Sequence, residues 1–351
     1  MRFAHRTLAQ LVVFAPGEAV RAVTEEVTRL GARRVMIIVS PSSAALADAL
    51  SNGLGVAHIH REVVRHVPVA VAERAREAAR TCDADLLLCV GGGAATGLAK
   101  AVALTSGLPV VAVPTTYAGS EATDVWGLSE GTEKTTGTDS RALPATVVYD
   151  ASLLLTLPGR LVAASGLNAL AHGIDAMWGP RADPIDRALA GEGVRALRDG
   201  LLEVSAHPER QHGHEQTLYG AYLAAVAFAS AGSGLHHKIC HVLGGMFDLP
   251  HAATHAVVLP HVLALNAPHA PQAERRIAEA LGSATANEGL RDLRGLLDAP
   301  ASLRELGMPA DGILRAVEPV LAAAPANNPA PLTPDRVTAL LRAAWEGETL
   351  R

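Results

Sequence analysis

Leu86-Leu-Leu-Cys-Val-Gly-Gly-Gly-Ala-Ala-Thr-Gly97 is the stretch that decides the fold, because an unbroken apolar run ends there on three glycines. Residues 86–90 predict a strand buried on both faces, and residues 94–104 predict the helix that follows it. Outward from this unit, strands are predicted at 35–39 and 109–113, an extended piece at 61–67, and helices at 43–50 and 69–80. This alternation predicts an α/β domain over residues 1–150, with a parallel sheet covered on both faces.

Beyond Asp150 the strand signals nearly stop, and apolar residues recur at helical spacing. Helices are predicted at 184–204, 215–231, 235–244, 254–265, 272–281, 313–323 and 334–346. The change of period near residue 150 therefore predicts a second, all-α domain over residues 151–351.

Composition restricts the class of protein. The 351 residues are 49% hydrophobic but only 3% aromatic, which favours close-packed helices and parallel strands, and the formal net charge is −5. The lack of a basic excess argues against nucleic acid as a partner. The longest apolar runs are far too short to span a bilayer. Three cysteines are a sparse set that suits a reducing compartment. We therefore predict a cytoplasmic protein without a membrane partner.

The glycine turn is the first candidate site, because backbone N–H groups at a helix N-terminus bind phosphate. It is not a P-loop, since Leu98 stands where that motif needs lysine, and Thr96 replaces the third glycine of G-x-G-x-x-G. A tight turn without a ligand is the alternative. The segment Pro-Thr-Thr-Tyr-Ala-Gly-Ser-Glu at 114–121 favours a ligand, because it brings several hydroxyls to the same edge of the sheet.

A nicotinamide dinucleotide is the expected ligand, with residues 40–43 lining its adenosine end. No carboxylate stands there to select the ribose, so the choice between NADH and NADPH stays open. The residues expected to bind the cofactor are Ser40, Pro41, Gly91, Gly92, Gly93, Ala94, Thr115, Thr116, Tyr117 and Ser120.

The second candidate site is Gly234-Leu-His-His-Lys-Ile-Cys-His-Val-Leu-Gly-Gly-Met-Phe-Asp-Leu-Pro-His251. His237 and His241 are four residues apart and share a helix face, and Asn168 and His172 repeat this spacing upstream. Together with His251, these residues have the layout of a one-metal site, although an amide is a poor substitute for a carboxylate ligand. Whether the imidazoles hold metal, substrate or protons stays open.

Two further features belong to the same region. Lys238 adds a positive charge that suits a carboxylate-bearing substrate, the alternative being a solvated helix lysine. His255 and His261, in the following helix, are expected to be structural or exposed.

On these residues the chain resembles the iron-containing alcohol dehydrogenase superfamily and, within it, the family of maleylacetate reductases. The resemblance is carried by residues 91–93, 114–121, 134–137, 165–172, 234–251 and 344–347, and it runs over nearly the whole chain. It implies the dehydroquinate synthase-like fold of that superfamily, in which residues 1–150 form a Rossmann-like, dinucleotide-binding domain and residues 151–351 a helical one. A homodimer is implied as well. It also implies that Lys134 and Leu161 belong to the cofactor site. The ligand positions of metal-dependent relatives fall on Asn168, His172, His237 and His251.

The resemblance further implies a reaction. Asparagine at position 168 is shared with maleylacetate reductases, which implies an enzyme that works without metal. The implied reaction is reduction of the C=C bond of 2-maleylacetate, a small dicarboxylate, to 3-oxoadipate by NADH or NADPH, in the breakdown of aromatic compounds. The residues expected to take part are His241 or His172 as proton donor, His237, Lys238 and His251 as substrate-orienting groups, and Tyr117 as a hydroxyl near the nicotinamide.

Some features depart from this scheme or leave alternatives. Ala94 stands where relatives carry serine after the three glycines, which removes one hydrogen bond to phosphate. The alternative function is a metal-dependent alcohol dehydrogenase of the same superfamily, which Asn168 disfavours. A lyase resembling dehydroquinate synthase would need a complete metal site and more lysine and arginine, and a non-catalytic nucleotide-binding regulator would not need an intact histidine cluster.

Overall fold

The computed structural model describes residues 2–131 and 133–347, and these form two compact units. Residues 8–157 make the α/β unit; residues from 158 onwards, with the segment before residue 8, make the helical unit. The division follows Leu157 rather than Asp150, where the sequence pattern changes. The reason is that the Asp150 carboxylate still binds within the α/β unit, where it accepts hydrogen bonds from the N–H groups of Gly17 and Ala19 at 2.7 and 3.1 Å.

The α/β unit is built on one parallel sheet. The strands are β1 Leu11–Phe14, β2 Val35–Val39, β3 Val56–His60, β4 Leu86–Gly91, β5 Val110–Pro114, β6 Val125–Glu130, β7 Glu133–Thr138 and β8 Thr146–Tyr149. Six of them form the sheet in the order β1-β8-β5-β4-β2-β3, and β6 and β7 form a separate antiparallel hairpin. The helices are α1 Ala19–Arg29, α2 Ala44–Ser51, α3 Val69–Thr81 and α4 Gly93–Ser106.

The central strands are apolar throughout, and every residue of β2, β4 and β5 is buried. Such strands are shielded on both faces only when helices cover both sides of the sheet. On one side, Val23 of α1 and Leu50 of α2 pack with Ile37 of β2 in a single buried cluster. Full burial of each valine or leucine side chain contributes about 1.5–3 kcal/mol, so the sheet is the stable frame on which the loops stand.

The strand order reverses between β2 and β4. The chain leaves β2 towards β3 on one side and leaves β4 towards β5 on the other. Ligands of open α/β sheets bind outside the carboxyl ends of the strands at such a point. Ser40 follows β2 and Gly92 follows β4, so the topology places both at this edge.

The predicted Rossmann-like α/β half is confirmed, but one element in it is misplaced. The extended piece predicted at 61–67 is wrong, because the strand is β3, Val56–His60. Two histidines interrupt its apolar pattern and it lies at the other edge of the sheet, where four of its five residues are only partly buried.

The second unit is helical throughout its described residues, as predicted. Its helices are α5 Gly159–Ala176, α6 Pro184–Ala206, α7 Gln211–Ala231, α8 Leu235–Phe247, α9 His251–Asn266, α10 Pro271–Leu281, α11 Ala286–Gly295, α12 Gly312–Ala323 and α13 Pro334–Glu346. The sequence did not predict α5 because all of residues 162–176 are buried, and a helix without a polar face has no amphipathic pattern. In the described part of the chain no single helix is long and apolar enough to cross a membrane. Helices α7 and α8 together have the necessary length and apolar character, but the pair is bent by 94°.

Candidate functional site

The glycine turn after β4 packs closely against the segments that follow β2 and β5. Gly91 has a φ of +148°, and a Cβ there would stand 2.6 Å from Oγ of Ser40. A Cβ on Gly92 would stand 3.0 Å from Cγ2 of Thr116. Glycine permits both the backbone conformation and the close approach. The structure therefore brings the turn, Ser40 and Thr116 together.

α4 begins at this turn without a side-chain cap. Gly92 is its N-cap residue and, being a glycine, provides no side-chain capping hydrogen bond. Unpaired N–H groups at a helix N-terminus, aided by the dipole, suit a phosphate. The hydroxyls of Ser43 and Thr115 lie 3.5 Å apart at the same edge. The donors needed for a pyrophosphate are thus present here.

Lys100 of α4, which the sequence did not predict as a site residue, holds the segment after β5 in place. Its Nζ donates to the carbonyl oxygens of Ser120, Thr123 and Val125 at 2.6, 2.7 and 2.8 Å. Burial lowers the pKa of Lys100 to about 8. The sequence feature that could have identified it is a lysine inside an otherwise apolar stretch of helix. Through this lysine, α4 and the segment that follows β5 form one support for the turn.

Three predicted cofactor residues do not add a polar group to this edge, and a fourth lies partly outside the described structure. Tyr117 is fully buried, so its hydroxyl has no exposed surface with which to touch a nicotinamide. Pro41 is exposed in the turn after β2, and Leu161 is 49% exposed in α5 of the helical unit. Lys134 belongs to β7, but its side chain lies outside the described part of the structure.

In the helical unit, Asp175 of α5 fixes the start of α8. Its Oδ2 accepts hydrogen bonds from the N–H groups of Gly234 and His237 at 3.0 and 3.4 Å, and Nδ1 of His237 lies 2.7 Å away. A side chain at Gly234 would overlap this carboxylate. Asp175 was not predicted, although Asn168, His172 and Asp175 follow the i, i+4, i+7 spacing of one helix face.

The carboxylate determines how His237 presents its ring. Because Nδ1 donates to Asp175, Nε2 faces the interior, where it has no hydrogen-bond partner among the described residues. Burial lowers the pKa of His237 well below 6.5 and that of His172 to about 4, and it raises the pKa of Asp175 to about 7. The rings of His172 and His237 stack with centroids 4.9 Å apart and an interplanar angle of 12°. At neutral pH both imidazoles are therefore uncharged.

The cluster extends from this buried stack towards the surface. His255 is fully buried, and its ring centroid lies 4.8 Å from that of His237 and 4.4 Å from that of His251. Its Nδ1 lies 2.9 Å from Nε2 of His236. His241 is half-buried and His251 is exposed, with ring centroids 6.1 Å apart. Neither His236 nor His255 was predicted as a site residue; the i, i+4 spacing of His255 from His251 was the available signal.

Lys238 lies on α8 within the same segment. It is half-buried, and no carboxylate in the described chain forms an ion pair with it. A positive charge without a protein counter-ion next to a histidine cluster suits an anionic ligand.

The positions that match family metal ligands do not form one ligand set. Asn168 offers an uncharged amide, the rings of His172 and His237 stack face to face, and His251 contacts His241 and His255 instead. A divalent ion needs donor atoms that converge on one point. Among the described residues, the ring nitrogens of His172, His237 and His251 are not found as a group within 4.8 Å of one another, and Asn168 supplies no charged ligand.

Comparisons with known families agree with this layout. The model of the iron-containing alcohol dehydrogenases matches residues 10–151, and that of the Fe-containing alcohol dehydrogenase family, C-terminal, matches residues 162–345. A maleylacetate reductase from Sphingobium indicum is 43% identical over 99% of this chain and 98% of its own length.

Solved structures match over both units. An iron-containing alcohol dehydrogenase from Corynebacterium glutamicum is 55% identical with a TM-score of 0.96, covering 99% of this chain and 98% of its own. A maleylacetate reductase from Agrobacterium tumefaciens is 39% identical with a TM-score of 0.93, and the match covers 100% of both chains. The predicted fold is thus confirmed beyond its general class.

Proposed function

Because the chain belongs to the iron-containing alcohol dehydrogenase family and is an oxidoreductase, we propose that it reduces the C=C bond of 2-maleylacetate to 3-oxoadipate with NADH or NADPH. The family resemblance predicted from the sequence is confirmed. Relatives named maleylacetate reductase at 43 and 46% identity over nearly the whole chain support the substrate. The observation that carries a reaction without catalytic metal is the amide of Asn168 beside the stacked, uncharged rings of His172 and His237.

In this proposal the glycine turn binds the pyrophosphate of the dinucleotide. The uncapped N–H groups at the start of α4 would hold the phosphates, with Ser40 and Thr116 beside them. The reduced nicotinamide, when bound, supplies a hydride. The hydroxyls of Ser40 and Ser43, 3.1 Å apart, are polar groups near the adenosine end that carry no charge to select a ribose diol or a ribose phosphate.

Ala94→Ser should tighten NADH binding by about 10-fold, because a hydroxyl on the first turn of α4 adds a hydrogen bond to phosphate worth about 1.5–3 kcal/mol. Titration of NADH fluorescence measures the change. Ala94→Val adds bulk without a donor and is the matched control. Equal affinity of Ala94→Ser and the wild type would place the phosphates away from this turn.

The histidine cluster and Lys238 would bind the dicarboxylate. Lys238 offers a cation that has no counter-ion among the described residues, and His251 is exposed for contact with a ligand. An approaching anion favours the protonated form of His237, and the Asp175 carboxylate stabilises that imidazolium through Nδ1. Substrate binding would therefore take up a proton.

The chemistry needs positive charge and one proton. Hydride addition to the alkene builds negative charge on the enolate oxygen of the neighbouring ketone, and preplaced cationic groups lower the barrier. The adjacent carbon then needs a proton from a group that titrates near neutral pH. Of the two predicted donors we favour His241, which is half-buried, over His172, because burial lowers the pKa of His172 to about 4 and leaves it unprotonated at pH 7.

The proposed reaction is tested by mixing the purified protein with freshly generated maleylacetate and NADH or NADPH. We expect consumption of the reduced cofactor and formation of 3-oxoadipate, identified by mass spectrometry, with one deuterium transferred from deuterated NADH. His241→Gln should slow turnover strongly while leaving NADH binding intact. Oxidation of simple alcohols without turnover of maleylacetate would overturn the proposal.

The proposal includes a cytoplasmic location. Its support is that Cys82, Cys89 and Cys240 form no disulfide in the described structure. A small dicarboxylate is its proposed binding partner, with no role for nucleic acid. A second copy of the chain is the proposed protein partner.

We expect the homodimer to form through β1, which lies at an edge of the sheet with Leu11 and Phe14 each 41% exposed. The double variant Leu11→Lys, Phe14→Lys should sediment as a monomer. Leu314→Lys, at a 70% exposed position of α12, is the matched control and should remain dimeric. A monomeric wild type would contradict this part of the account.

A further inference from the structure

Three imidazoles of the helical unit approach one another more closely than the positions that match family metal ligands. One ring nitrogen from each of His236, His237 and His255 lies within 4.8 Å of the other two. All three side chains are buried, at 1, 2 and 0% exposure. We propose that they form an inhibitory site for a borderline divalent cation of the Zn²⁺ type. This site shares His237 with the positions that match family metal ligands. On α9 it uses His255, one helical turn after His251.

The donor atoms suit such a cation. Zn²⁺ takes imidazole nitrogens at about 2.0–2.1 Å, which in a tetrahedral site places them about 3.3 Å apart. Nε2 of His236 and Nδ1 of His255 are 2.9 Å apart and share a hydrogen bond. A cation would replace the shared proton if the rings separated by a few tenths of an ångström. Nε2 of His237 is buried without a partner among the described residues and supplies the third donor.

The surroundings of His237 also suit a cation. Metal-bound histidines usually donate their other ring nitrogen to a carboxylate, which fixes the ring and raises its basicity. Asp175 does so here, with Oδ2 at 2.7 Å from Nδ1. The same carboxylate would offset part of the charge of a buried dication. The site thus combines three neutral donors, His236, His237 and His255, with one anionic supporting group, Asp175.

Occupation of this site would inhibit the proposed reaction. His237 is assigned to substrate binding, and a cation on its Nε2 would remove that group from the dicarboxylate. This inhibitory effect rests on the proposed function, whereas cation binding by the three imidazoles does not.

Binding is tested with Zn²⁺ and Co²⁺ on chelator-treated protein. Competition with a chromogenic chelator should give one Zn²⁺ per chain, and X-ray absorption of the bound metal should show three imidazole nitrogens. His236→Asn and His255→Asn should each weaken Zn²⁺ binding by at least about 100-fold. His241→Asn and His251→Asn, one turn away on the same two helices, are the matched controls and should retain it.

Three results would overturn the proposal: no stoichiometric Zn²⁺ in the wild type, a metal without imidazole ligands, or loss of binding in His251→Asn but not in His255→Asn. Circular dichroism on each variant separates lost ligation from lost folding, and the absorption measurement on wild type does not depend on the variants. With maleylacetate as substrate, Zn²⁺ should inhibit the wild type but not His255→Asn. Zn²⁺ binding without reductase activity would refute the proposed function alone.

Discussion

Asp175→Asn should lower kcat/KM for maleylacetate reduction by about 100-fold, the upper range for a group that orients a functional histidine. The amide keeps the shape of the side chain and still accepts the N–H of Gly234. It removes the charge that stabilises a protonated His237, because the oxygen that takes the place of Oδ2, which faces both the N–H of Gly234 and Nδ1 of His237, is now neutral. Steady-state kinetics on the purified variant measure the loss.

Asp186→Asn is the matched control for this experiment. Asp186 is also fully buried in the helical unit, and its Oδ2 accepts the N–H of Asp183 in the capping box of α6. Its replacement should lower the melting temperature without a comparable fall in kcat/KM. Wild-type kinetics for Asp175→Asn would show that the pairing with His237 is structural only.

Acidification from pH 7.5 to 5 should lower the free energy of unfolding by several kcal/mol, well before ordinary surface carboxylates titrate. Burial lowers the pKa values of His172 and His261 to about 4, that of His236 to about 3, and those of His237 and His255 well below 6.5. A group whose pKa is lower in the folded state binds its proton more readily when unfolded. Stability is therefore lost as the pH falls below 6.5 towards 4, at about 1.4 kcal/mol per pH unit for each such histidine.

Two buried carboxyl groups oppose this trend and reduce the net loss of stability. Burial raises the pKa of Asp175 to about 7 and raises that of Glu121, so protonation of these groups favours the folded state as the pH falls. Urea unfolding at the two pH values measures the difference. His261→Gln should reduce the pH-dependent loss by about 2 kcal/mol. A free energy of unfolding that is unchanged at pH 5 would show that the histidines are solvated.

The sequence predicted the elements that have a simple pattern. The unbroken apolar runs of β2, β4 and β5 identified the parallel sheet, and Gly91–Gly93 with Ser40 identified the edge where the chain turns closely. Amphipathic spacing identified most helices of the second unit. Two elements without such a pattern were missed or misplaced: α5 is buried on all faces, and β3 carries two histidines. The sequence analysis also missed α1 and α11, although both are amphipathic.

The missing site residues depend on contacts that spacing alone does not encode. Lys100 donates a hydrogen bond to the carbonyl oxygen of Ser120, 20 residues later in the chain. Asp175 accepts one from the N–H of Gly234, 59 residues later. His255 joins the cluster only because α9 packs beside α8, which brings it against His236. Local sequence gives the face of a helix, but the partner of that face is set by packing in three dimensions.

The measurement that tests the central claim most directly is maleylacetate reduction by protein that has been dialysed against chelator and shown by mass spectrometry to hold no transition metal. The account predicts full turnover with NADH or NADPH in this sample and no increase when Fe²⁺ or Zn²⁺ is added. An inactive chelated enzyme that regains activity with metal, or that then oxidises simple alcohols, would contradict it and identify a metal-dependent dehydrogenase.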